Sequence, residues 1–430
     1  MRNRITGGCM ALALALGGLS YGAAGASAEI ITLPTLTQQY AQQSQMYEAS
    51  GLTPPAVPCP ENGDLPTTPV TGPCGITELP ATGLPFMGNM AYYGGHVQVH
   101  PHEYLVFWGW GEKGAWPATD RCTSESITEG TIHFSLPCDP DGAGRYTANW
   151  VAQMGDTAWA GTQSQYYQTV HDASGQPFNQ YIDTTSKNWL SGVWVDNTNN
   201  ITALEQTSGS NPAGPTNTYT DLAAEAARAA LHFKVSDLAD ANFIIFQPAN
   251  YSDPNALATG YCAFHDYIYP NVEGGIYDSQ YTGGVENTQY TNLPYLLDIQ
   301  SGGINVCGEN AVNSGAAGKL DGYSIALGHE IMETATDPGA EDVIGSGTSV
   351  SQIGGWYDTI DADENGDKCA WVGENPITAT GPPLSIPGAM GDITGNGGQT
   401  FAVQSLWSNS AAGGAGYCAG AGTDLPLPSQ

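Results

Sequence analysis

Basic side chains are scarce: Lys and Arg total 10 of 430 residues against 42 Asp and Glu, a formal net charge of −32 at pH 7. Nucleic acid and anionic membranes are gripped by clustered Lys and Arg, so this shortage excludes polyanionic partners. Charge of either sign is thin, at 12% of residues, against about 25% in an ordinary soluble domain. A salt-adapted surface adds carboxylates, and is therefore a poor account of the acidity. No C-x-x-C spacing occurs, which removes Cys-based zinc ribbons and redox dithiols. After the N-terminal apolar run, no segment reaches the roughly 18 apolar residues that span a bilayer.

What is present begins with an export signal. Arg2 and Arg4 precede an apolar run over 10–19 and then Ala26, Ser27 and Ala28, an A-x-A cleavage pattern. Residues 1–28 are expected to be a signal peptide, leaving a secreted, extracellular chain that starts near Glu29. Cys9 leaves with it. Cys59, Cys74, Cys122, Cys138, Cys262, Cys307, Cys369 and Cys418 remain, an even set that reads as four disulfides in an oxidising compartment. Many pairings are open, and sequential neighbours close the shortest loops. Residues 29–85, rich in Pro, Thr and Gly, are expected to form an N-terminal arm or pro-segment with little core of its own. Residues 86–430 are expected to form a single large domain.

Residues 103–110 (EYLVFWGW) and 242–247 (NFIIFQ) are apolar almost throughout, which predicts central strands. Helices are predicted over 149–157, over 220–234, and over 321–336 (DGYSIALGHEIMETAT), the last stopped by Asp337 and Pro338. A long loop region is expected over 248–317 and a final strand over 400–407. Strands mixed with helices favour an α/β or α+β fold, with a mixed central sheet, a few packed helices and disulfide staples across many loops.

The chemistry concentrates in 328–338, GHEIMETATDP. On a helix, His329 and Glu333 are four apart and share a face, as two metal ligands must. Glu330 stands where the glutamate of His-Glu-x-x-His peptidases acts as general base on water, although Glu333 replaces the second histidine. A zinc site needs a third protein ligand and an open position. Glu364 and His265 are the candidates, His265 because Cys262 and Asp266 are positioned to hold it. Asp361, Asp363, Asn365 and Asp367 form D-x-D-x-N-G-D, the first half of a calcium loop, and a candidate second cation site. Val372 stands where the closing bidentate glutamate belongs, so a full EF-hand is excluded. The opposite side of the helix, with Ile325, Met332 and Ala335, is apolar, so half burial is expected. His96, His100 and His102 are a further spaced set, equally consistent with a polar strand entry.

The blocks YYGGHVQVHPHEYLVFWG (92–109), LSGVWVD (190–196), NFIIFQP (242–248), YCAFHD (261–266), GHEIMETATDP (328–338), ENGDKCAW (364–371) and FAVQSLWSN (401–409) stand in this order. Over roughly 90–420 the chain resembles secreted bacterial proteins with a His-Glu-x-x-Glu-x-x-x-Asp-Pro motif, distantly similar to plant phosphate-induced, EXORDIUM-like cell-wall proteins. The resemblance implies secretion and a shared fold. The residues themselves predict a zincin-like metal-dependent peptidase acting on protein or peptide, with zinc and, at the second site, calcium as cofactors. The alternative is a non-catalytic cell-wall protein that binds extracellular glycan or peptide.

Overall fold

The computed structural model of the chain describes residues 89–120, 122–198, 201, 218–268, 285, 288–338, 355–357, 364–369, 390–410 and 417–419. The expected signal peptide (1–28) and arm (29–85), with Cys59, Cys74, Asp361 and Asp363, lie outside these residues.

A five-stranded mixed sheet forms the centre. Its strands are β1 (His102–Trp108), β2 (Leu190–Asp196), β3 (Ala241–Phe246), β4 (Phe264–Ile268) and β5 (Thr288–Leu293), in the order β2-β1-β3-β5-β4. The first four in that order run parallel, and β4 closes the sheet antiparallel to β5. Parallel strands covered on both faces read as continuous apolar runs, which is why residues 103–108 and 242–246 were legible as central strands. The helices are α1 (Ala143–Gln153), α2 (Thr218–Phe233), α3 (Pro254–Thr259) and α4 (Asp321–Thr336).

Register assigns the helices to faces, because residues paired across a sheet point to the same side. Glu103 pairs with Asn242, Asn242 with Gln289, and Thr291 with His265. Phe246 shares their face and meets Tyr323 of α4, ring centroids 5.4 Å apart. On the other face, Tyr104 meets Phe233 of α2 at 4.8 Å, and the Arg228 guanidinium lies over Trp108. The result is an α/β mixed sheet with α4 on one side and α2 on the other.

Three sequence expectations need correction. The loop region over 248–317 contains β4 and β5, because the buried polar side chains of β5 find partners within the protein: Asn242 Nδ2 donates to Thr291 Oγ1, Gln247 Nε2 to Asn292 Oδ1, and Asn292 Nδ2 to Asp253 Oδ2. The strand over 400–407 breaks at Ser405 into Thr400–Gln404 and Leu406–Ser408. The helix expected at 149–157 starts earlier, at Ala143, just after Gly142 in the left-handed region (φ 77°). Disulfides join Cys122 to Cys138, Cys262 to Cys307 and Cys369 to Cys418, as sequential pairing expected. No helix among the described residues is long and apolar enough to cross a membrane.

Glu103 is wholly buried in β1, where its Oε2 accepts a hydrogen bond from Asn242 Nδ2 at 2.9 Å. Burial pushes its pKa up to about 8, the Asn242 bond opposing only in part. Between an unfolded value near 4.5 and about 8, the unfolded chain therefore releases a proton that the folded chain keeps. Stability falls as pH rises through that window, by up to about 1.4 kcal/mol per unit. Glu103→Gln should remove this slope: in urea unfolding, its stability relative to wild type should grow steadily from pH 5 to pH 8. A constant difference would show that Glu103 is ionised in the fold.

Candidate metal centre

All sixteen residues of α4 are buried, so the expected half-buried helix is wrong. The sheet covers one side, and the hairpin β6 (Met390–Thr394) with β7 (Thr400–Gln404) contributes cover elsewhere. Ser324 Oγ donates to the Ala402 carbonyl of β7 at 2.5 Å. A helix buried all round must satisfy its polar side chains internally, and those of α4 converge on two neighbouring segments.

The first segment is β4. His265 Nδ1 lies 3.3 Å from Glu330 Oε2 and 3.8 Å from Glu333 Oε2, and its Nε2 lies 3.4 Å from Glu364 Oε1 and 3.3 Å from the Asp337 carbonyl. The second is the turn over 364–369. His329 Nε2 lies 3.0 Å from Glu333 Oε1 and 3.3 Å from Asp367 Oδ1. Two donor groups result, His329–Glu333–Asp367 and His265–Glu333–Glu364. The third residue beside the helix pair is thus Asp367, assigned from sequence to a calcium-like loop, while His265 and Glu364 gather on the far side of Glu333. Asn365 Nδ2 donates to Gln163 Oε1 at 2.6 Å.

His329 Nε2, Glu333 Oε2 and Glu364 Oε1 are buried and make no hydrogen bond, although each stands at ion-pair distance from its neighbours. Atoms arranged around a shared cation look like this, because ligands about 2.0–2.1 Å from zinc in a tetrahedron are about 3.3 Å from one another. The donor set therefore fits a divalent cation. Charge points the same way: four carboxylates (Glu330, Glu333, Glu364 and Asp367) crowd into the site, and the ion pairs they make are to imidazoles. Lys368, beside them in sequence, lies 4.4 Å over the Trp407 ring.

The crowding marks the titration of the site. Burial raises Glu333 well above the ordinary carboxylate range, reinforced by the Asp367 charge, and burial likewise raises Glu364. Burial opposes charge on both histidines, yet Glu364 and Glu330 lift His265 well above its usual value, and Glu333 and Asp367 do the same for His329. A cation bound by these groups would compete with their protons.

Tertiary links hold the turn and β4 in place. Cys369, two residues beyond Asp367, is bonded to Cys418, and Cys262, three before His265, is bonded to Cys307. Gln404 Nε2 donates to the Gly366 carbonyl, and the Asp367 N–H donates to Glu333 Oε1, both at 2.9 Å. Gly366 was not singled out from sequence, since a glycine inside N-G-D reads as an ordinary turn. The other histidines lie elsewhere: His102 bonds Ser191, His100 pairs with Asp240, and His96 accepts from Gln289. Comparison of the chain with protein-family models, curated proteins and solved structures found no significant match.

A Cβ on Gly366 would lie 2.8 Å from both Glu333 Oε1 and His329 Nδ1. Gly366→Ala should therefore push these side chains apart and weaken any divalent-cation binding at the group by about 10–100-fold, while the chelated protein melts within a few degrees of wild type. Unchanged affinity in a competition titration would show that the turn does not set the ligand geometry.

Proposed function

We propose that the protein is an exported metal-dependent hydrolase that cleaves peptide bonds, with zinc held by His329, Glu333 and Asp367. The observation that carries this reading is the convergence of buried ligand atoms, three of them without a hydrogen bond, on α4 and the turn after it. Zinc is favoured over calcium because each donor group includes an imidazole, and calcium takes oxygen ligands. Three disulfides support an oxidising compartment.

When bound, the cation supplies Lewis-acid polarisation of the scissile carbonyl and acidifies water. His329 and Glu333, one helical turn apart, are held rigidly enough to bind it in one geometry. Glu330 belongs to neither donor group, so its carboxylate is available for proton transfer. Its Oε2 takes the proton from the attacking water and returns it to the leaving amine, while His265 Nδ1, 3.3 Å away, keeps that oxygen oriented. Peptide is the favoured substrate on two grounds. The site adjoins β4, the terminal strand of the sheet, where extended chains commonly dock. The net charge of −32 repels polyanions and favours neutral or basic substrates.

A second reading, a cell-wall or glycan-binding protein of the EXORDIUM-like kind, is favoured by aromatic exposure. Phe178 (46%) and Tyr181 (47%) stand out on the hairpin formed by Tyr167–His171 and Pro177–Tyr181. Retention on insoluble polysaccharide, unaffected by chelator, is its expected signature.

Glu330→Gln separates the two. Against a mixed peptide library, the hydrolase reading expects the rate to fall by about 100-fold or more, with zinc content as in wild type. Hydrolysis at the wild-type rate would remove Glu330 from the chemistry, and absence of zinc from the wild-type protein would remove the reading altogether.

A further inference from the structure

The two donor groups share one residue through two different oxygens. Glu333 Oε1 faces His329 Nε2 at 3.0 Å and takes the Asp367 N–H at 2.9 Å. Glu333 Oε2 faces the other way, 3.8 Å from His265 Nδ1, and is buried without a hydrogen bond. Across His265 stands Glu364 Oε1, also buried and also without one. One tetrahedral ion takes four ligands, so the group around His329 leaves His265 and Glu364 unused.

We propose that the centre binds two divalent cations, one between His329 and Asp367 and one between His265 and Glu364, with the Glu333 carboxylate bridging them. The proposal deepens the hydrolase reading and rests on it for the first cation. A carboxylate presents its two oxygens to ions about 3.5–4 Å apart, the spacing of two-metal hydrolytic sites. Geometry separates this arrangement from a single ion: Glu333 Oε2 and Glu364 Oε1 are buried donor atoms that the group around His329 does not use. Glu330 lies outside both groups and keeps its place as the base.

The rival arrangement is one cation with a proton on His265, which then acts as an acid–base partner of Glu330 and Glu364. Metal content decides between them. The purified full-length exported chain, disulfides intact, is dialysed against buffered zinc, and bound metal per chain is measured by elemental analysis. Two equivalents are expected for wild type and one for His265→Ala. Glu364→Gln, a near-isosteric change, should also retain one, and serves if His265→Ala fails to fold. Because an acidic chain can collect ions on its surface, the same proteins are loaded with Mn²⁺. Wild type should show the spin-coupled signal of two adjacent ions, and each variant the signal of isolated ions. One equivalent in wild type, or two without coupling, overturns the bridged pair and leaves the hydrolase reading standing. No retained metal overturns both.

Discussion

A helix buried on every side that carries His329, Glu330 and Glu333 is the constraint on which the rest depends. Ionised carboxylates taken out of water cost several kcal/mol each unless partners replace the lost solvation. The surroundings of α4 read as the answer to that cost. Strand β4 contributes His265, the turn over 364–369 contributes Glu364 and Asp367, and β7 contributes Gln404, which fixes the turn by its Gly366 carbonyl. Added acids worsen the charge problem unless a cation completes the group. His329 Nε2, Glu333 Oε2 and Glu364 Oε1, buried without hydrogen bonds, are the donor atoms such a cation would use.

Rigidity at the site comes from long-range links. Two of the three disulfides enter the chain within three residues of a donor, Cys262 before His265 and Cys369 after Asp367. In the chain-entropy description, closing loops of this size is worth about 4 kcal/mol. That stabilisation matters more here than in a site built on one helix, because the donors come from three separate segments of the chain, β4, α4 and the turn over 364–369. Close backbone approaches do the same work. A Cβ on Gly322 at the start of α4 would lie 1.8 Å from the Cys307 carbonyl, so the helix rests directly on the segment that its disulfide ties to β4. Favourable ligand geometry thus depends on covalent and steric links that are not themselves part of the donor set.

Much of this was legible in the residues, for physical reasons that also mark the limit. The strand EYLVFWGW and the boundaries of α4 follow from local pattern, a continuous apolar run and a proline stop. The i, i+4 relation of His329 and Glu333 follows from helical geometry alone. Strands β4 and β5 did not follow, because TQYTNL buries Thr, Gln and Asn against side chains from other segments of the chain, and a polar strand of that kind has the composition of a loop. The burial of α4 on its second side was hidden for a similar reason. Its cover comes from a hairpin some seventy residues later.

By itself, the sequence determined the local chemistry: a helix placing His329, Glu330 and Glu333 together, an acidic turn downstream, an even set of cysteines outside the expected signal peptide, and a charge that repels polyanions. These follow from spacing, composition and sign, which need no knowledge of distant contacts. Only the tertiary structure decided that Asp367 completes the group at His329, that His265 and Glu364 lie together across Glu333, and that Asn365 belongs to Gln163 instead. The reason is that a donor's partner is fixed by which segments pack together, and in this fold that packing is set by sheet order, a disulfide and a glycine, each acting across large separations in the chain.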